Sequence, residues 1–135
     1  MANQLYDFGR ESFLLGNVNW SGDTIKVVLI DHGNDTPLPA SDQYLSDLAA
    51  AARVATSAAF TSKTTTAGVA DAADVTITSV SGNSVESLNI FQDTGTETTS
   101  ILIAYIDTAT GLPYTPNGGD VTIQWDNGAN RIFKL

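Results

Sequence analysis

Turn-forming residues cut this chain into short pieces. Clusters of Gly, Asn, Asp, Ser and Pro recur roughly every 10–15 residues, and the runs between them have strand length. Such spacing argues for strands joined by turns rather than for βαβ units. The strongest run is Thr24-Ile25-Lys26-Val27-Val28-Leu29-Ile30-Asp31. It carries apolar β-branched residues on both faces, so it belongs in the middle of a sheet. The loop His32-Gly33-Asn34-Asp35-Thr36-Pro37-Leu38-Pro39 ends it. Residues 41–48 read as a helical turn with Ser41 as its N-cap, and residues 53–66 alternate apolar and hydroxyl side chains as a strand would. Residues 75–80 and 85–92 read as two strands joined by the turn Ser81-Gly82-Asn83-Ser84. Residues 100–107 are a strongly apolar strand, and a short edge strand is expected at Tyr114. In residues 121–125, Val121, Ile123 and Trp125 alternate toward a core. Asp126-Asn127-Gly128-Ala129-Asn130 has hairpin chemistry, with residues 131–135 as the closing strand.

Only the N-terminus has helical spacing. Leu5, Phe8, Ser12 and Leu15 line up over residues 3–16, and Gly16 supplies a stop, although Gly9 weakens the interior. The expected fold is all-β and a single domain over residues 1–135. It comprises an N-terminal helical segment (1–16) and a β core (24–135), arranged as a β-sandwich of jelly-roll or immunoglobulin-like type or as a small barrel. A chain of 135 residues can bury one core. With only 16% charged residues against a usual ~25%, its polar surface must come largely from Thr, Ser, Asn and Gly.

Charge narrows the choice of partners. Fifteen acids face six scattered bases, for a formal net charge of −9. Nucleic-acid binding needs clustered Lys and Arg to displace counterions, so no nucleic-acid partner is expected. An anionic membrane surface is disfavoured for the same reason. The longest apolar run, residues 101–106, is far shorter than the ~20 residues of a membrane span. No basic stretch followed by an apolar one opens the sequence, so synthesis in a cytoplasm is expected.

The residues supply little chemistry. The chain has no cysteine and one histidine, which excludes disulfides and Cys-based zinc sites and poorly supplies any transition-metal site. His32 would be the base of any Ser-His-Asp triad, but no Gly-x-Ser-x-Gly elbow exists, and a solvated loop histidine is expected. Asp31, Asn34 and Asp35, then Asp71 and Asp74, then Asp120, Asp126 and Asn127 gather oxygens that calcium could use. None has EF-hand spacing, and Asp and Asn initiate turns unaided. No phosphate loop or dinucleotide fingerprint is present. The expectation is therefore a protein that is not an enzyme, with no cofactor and no metal.

Six stretches carry a resemblance: Ala2-Asn3-Gln4-Leu5-Tyr6-Asp7 leading to Gly9-Arg10-Glu11 and Phe13; residues 23–31; Ala52-Arg53-Val54-Ala55-Thr56-Ser57; residues 68–75; residues 104–113; and Asn117-Gly118-Gly119-Asp120-Val121. In these stretches the chain resembles small virion structural proteins of tailed bacteriophages. Together the stretches span nearly the whole chain. The resemblance implies a capsid decoration (cement) protein, β-rich and commonly trimeric. Such a protein binds between subunits of the major capsid protein on the virion surface. The alternative is a tail or baseplate component with a receptor- or glycan-binding role, for which the Thr/Asn/Asp-rich loops and aromatics would be suited. The resemblance brings no contact motif. The residues themselves offer Leu5, Tyr6, Phe8 and Phe13 of the amphipathic N-terminal segment, with Trp20, as candidate partner contacts. The alternative for each is packing within this chain's own core.

Overall fold

The computed structural model describes residues 3–135; Met1 and Ala2, which open the expected N-terminal segment and the phage-like stretch, lie outside the described residues. In chain order the elements are β1 (Gln4–Leu5), α1 (Asp7–Leu14), β2 (Ile25–Ile30), β3 (Arg53–Thr56), β4 (Val69–Ala70), β5 (Val75–Ile77), β6 (Ser87–Gln92), β7 (Leu102–Ile106), β8 (Val121–Ile123) and β9 (Phe133–Lys134). Strands dominate, and the only α-helix among the described residues is short. β1, β7, β6, β2 and β3 form one antiparallel sheet in that order. β4 with β9 and β5 with β8 make two small antiparallel ladders.

The five-stranded sheet stays open, which corrects the barrel expectation. Its edges are β1, of two residues, and β3, of four. Strands this short cannot supply a closing ladder around a barrel.

The apolar run that dominated the sequence lies second from one edge. β2 pairs with β6 from Ile25↔Gln92 to Ile30↔Ser87. Ile25, Val27 and Leu29 face one side with Leu88 and Ile90, and Val28 and Ile30 face the other with Phe91. Both faces are covered, and every residue of β6 is buried. Each aliphatic side chain so buried contributes about 1.5–3 kcal/mol. In β7 a register shift opposite Ile90 and Phe91 lets Ile103 and Ala104 both join the first face.

Two expected hairpins do not form. Residues 75–80 do not fold back on 85–92; β5 instead pairs with the distant β8, while β6 enters the central sheet. Likewise β8 and β9 do not pair across residues 126–130, because β9 joins β4. The turn residues are present in both places, but turn chemistry permits a reversal without choosing its partner strand. Tyr114 forms a single bridge to Val85. Residues 41–48 hold one turn of 3-10 helix at Leu45–Asp47. Asp47, not Ser41, supplies its side-chain cap by accepting the Gln43 and Tyr44 N–H groups.

The N-terminal segment is part strand and part helix. Residues 4 and 5 extend along β7, and only then does α1 begin. Gly9 explains how the helix docks. A Cβ there would lie 2.6 Å from the Leu102 carbonyl oxygen and 3.1 Å from Ile103 Cα, so the helix lies directly on the β7 backbone. Helix propensity alone favours Gly9→Ala by about 1 kcal/mol. Overpacking against backbone costs about 1–3 kcal/mol and should win. Gly9→Ala is expected to lower the urea midpoint; an unchanged or raised midpoint would show that the helix yields freely.

Candidate interaction surface

The first face of the sheet is closed by aromatic rings in series. Phe13 of α1 meets Phe133 of β9 at 6.0 Å, and Phe133 meets Trp20 edge-on at 5.2 Å. Trp20 meets Phe60 at 6.0 Å, and Phe60 meets Trp125 at 5.3 Å. These tilted and edge contacts suit the ring quadrupoles. Both indoles also find acceptors on one stretch of chain: Trp20 Nε1 donates to the Asp71 carbonyl and Trp125 Nε1 to the Ala73 carbonyl. Asp74 Oδ1 then accepts the Trp125 N–H at 2.9 Å. The small ladders are thereby fixed over the sheet by side chains from both ends of the chain.

Beside the first link of this row lies a recess of about 350 Å³, lined by Phe13, Val18, Ala70, Phe133 and Leu135. Leu135 is 61% exposed. The end of α1 adds two more apolar side chains, Leu14 at 89% and Leu15 at 66% exposure. An exposed leucine alone means little, but two adjacent ones at the end of the helix whose Phe13 lines an apolar recess offer a contact surface. Across β9, a wider cleft of about 1100 Å³ runs between the β1–β7 edge and β8, with Leu5, Ile106, Tyr114, Ile123 and Arg131 on its walls.

The five contact residues expected from sequence are therefore dispersed. Tyr6 is fully buried and Trp20 is 4% exposed, so both belong to the core; this corrects their assignment as partner contacts. Their polar atoms explain why: each reaches a hydrogen-bond partner inside the fold. Leu5, Phe8 and Phe13 are half-buried, with Leu5 on the wide cleft and Phe13 on the small recess. Leu15, expected on the apolar face of a helix over residues 3–16, and its neighbour Leu14 are not among those five, and the actual helix, which ends at Leu14, turns both to solvent.

The second face holds a buried polar chain. Tyr6 Oη donates to Asn89 Oδ1 at 2.6 Å, and Asn89 Nδ2 donates to Ser87 Oγ at 2.9 Å. Ser87 Oγ lies 2.8 Å from His32 Nε2. The serine hydroxyl, with one proton and two lone pairs, can accept from Asn89 and pair with His32 at once, in the direction set by the imidazole tautomer. The His32 ring stacks on Tyr105, 6.2 Å away and tilted by 21°. His32 is thus no solvated loop residue. Its pairing with a serine has the composition of a nucleophile and base. Ser87 is fully buried, however, and its oxygen offers no approach to a substrate. The arrangement fixes the loop to the sheet.

The acidic loops likewise spend their oxygens on the chain itself. Asp31 accepts from the Gly33 N–H and from the Asn34 and Asn83 side-chain amides. The Gly33 bond, aided by the two amides, holds its carboxyl below the ordinary carboxylate range despite burial. Asp35 accepts the Ala49 N–H, Asp120 that of Ser79, and Asp126 that of Gly128. Among the described residues, no three His, Asp or Glu side chains are gathered to hold a metal ion. Among them, too, no helix is long and apolar enough to cross a membrane. Searches against known protein families and curated proteins find no match to this chain.

Tyr6 anchors the polar chain and should be visible in two ways. Tyr6→Phe leaves Asn89 Oδ1 buried without its donor and is expected to cost about 1–3 kcal/mol in urea unfolding. Burial first, and then the nearby Asp42, Tyr105 and Asp35, push the Tyr6 hydroxyl far above its ordinary pKa of 10.0. The folded state therefore keeps a proton that the unfolded state loses. Its stabilising effect is complete below the ordinary value and declines as pH rises past it. The urea midpoint should fall above about pH 10 in the parent, and less steeply in Tyr6→Phe. Parallel curves would dismiss Tyr6 as the source.

Proposed function

We propose that this chain is a virion structural protein of a tailed bacteriophage, a capsid decoration protein that binds the major capsid protein as a homotrimer and catalyses nothing. One observation carries the reading: the solvent-facing Leu14–Leu15 pair at the C-terminal end of the helix whose Phe13 lines, with Phe133, the small apolar recess. This patch sits on a helix held rigidly against β7 by the Gly9 contact, so little ordering is needed before it meets a partner. An exposed apolar patch of this kind loses its contact with water when a partner covers it, and several copies on a symmetric shell add avidity. The sequence resemblance points to the same role. We read the architecture as an open sandwich in which the two small ladders form the layer over the five-stranded sheet.

A tail or baseplate role is the second reading. It draws on the wide cleft, where Tyr114 and Trp125 lie among Thr108, Thr110 and Asn127, a composition suited to sugars.

Leu14→Asp with Leu15→Asp tests the first reading. Both side chains lie outside the core, so the urea midpoint should stay unchanged. Binding to expanded, undecorated heads should weaken about thirtyfold or more, the size of one interface hot spot. Parent protein that saturates head sites as trimers, together with a variant that does not, supports the proposal. A variant that binds like the parent would refute the leucine contact. Parent protein that ignores heads but binds host glycan would move the assignment to the tail.

A further inference from the structure

We propose that Asn127 is a self-modification site, at which the turn Asp126-Asn127-Gly128 and Arg131 convert the side-chain amide to aspartate and isoaspartate without an enzyme. The reaction is intramolecular. The Gly128 backbone nitrogen attacks Asn127 Cγ, the new N–Cγ bond closes a five-membered imide, and the Cγ–Nδ2 bond breaks. The proton from the Gly128 nitrogen passes to the departing nitrogen, which leaves as ammonia. Water then opens the ring at either carbonyl. Opening at the side-chain carbonyl gives aspartate, and opening at the main-chain carbonyl gives isoaspartate. Water is the only co-reactant, and nothing is oxidised or reduced.

Three features of this turn match the needs of that attack. Gly128 carries no Cβ to shield its nitrogen; one placed there would lie 2.9 Å from Asp126 Oδ2. The Gly128 N–H donates to Asp126 Oδ1 at 3.1 Å, so a carboxylate already sits where the proton must leave. Arg131 Nη1 donates to Asn127 Oδ1 at 3.0 Å. Negative charge develops on that oxygen as the nitrogen attacks, and a guanidinium beside it stabilises the charge. Arg131 can only donate, which also fixes the amide with its oxygen toward the guanidinium and its leaving nitrogen away. All these residues are exposed, so water reaches the imide.

The same chain contains its own control. Asn117-Gly118 is an equally exposed Asn-Gly pair. There the Gly118 N–H donates to the Val80 carbonyl at 2.8 Å, and the Val80 N–H returns a bond to the Gly119 carbonyl at 2.9 Å. The attacking nitrogen is thus locked into a backbone ladder. Asn117 Oδ1 is held by the Gly119 N–H, with no cation on it among the described contacts. Sequence alone makes the two sites equivalent; the fold separates them. The isoaspartate product would lengthen the main chain by one bond in the segment that delivers Phe133 to the aromatic row.

The test is incubation of the intact, folded protein at neutral to mildly alkaline pH. Peptides containing Asn117 and Asn127 are then quantified by mass spectrometry in the same digest. Asn127 is expected to convert about tenfold or more faster than Asn117. Arg131→Ala should slow Asn127 by about tenfold and leave Asn117 untouched, and Arg131→Lys should restore part of the rate. In denaturant the two sites should converge. Equal rates in the folded protein, or an Arg131→Ala variant that converts Asn127 at the parent rate, would overturn the proposal.

Discussion

β2 and β6 lie against one another over their whole length, and of their residues only Lys26 keeps part of its side chain in water. That pairing is the constraint to which the other parts answer. Two strands buried on both sides need a cover on each side. The first is apolar and is supplied by the aromatic series from Phe13 to Trp125. The second has to accommodate Ser87 and Asn89 of β6, whose polar atoms leave water when the cover closes. Leaving such groups unpaired costs about 1–3 kcal/mol each, so Tyr6 and His32 are drawn in to complete them. Among the described residues, no buried side-chain nitrogen or oxygen is left without a partner.

This asymmetry also explains what could be read from the sequence. Apolar runs at 25–30, rich in β-branched residues, and at 102–106 announce strands because their burial is apolar on both faces. Trp125 announces itself as core through its alternation with Ile123. Ser87 and Asn89 mislead, since a polar residue at every second position reads as a solvent face. Only the tertiary contact with Tyr6, which lies far away in sequence, makes them interior. The same holds for His32, whose loop composition says exposed while its ring faces Ser87. Partner choice between strands was illegible too. The turns at 81–84 and 126–130 carry the right residues, yet β5 and β9 find partners elsewhere because burial of Ile77, Ile123 and Phe133 decides the ladders.

The candidate surface followed a similar rule. An amphipathic pattern identified the N-terminal segment as the place to look, but the choice of residues depended on where the helix starts. Beginning α1 at Asp7 rather than at residue 3, with Gly9 against β7, sets the phase of the helix. Tyr6 is then inward, and Leu14 and Leu15 point to solvent. The acidic turns show the reverse situation, in which composition suggested ligands and geometry supplied backbone N–H groups instead.

The short edges of the central sheet have a consequence for crowding. A long exposed edge strand is a template on which another chain can add by main-chain pairing. β1 offers two residues, and the register of β3 against β2 is already broken between Leu29 and Ile30. Copies brought to high local density can touch through side chains while their sheets have little backbone with which to fuse. Such a fold tolerates being tiled.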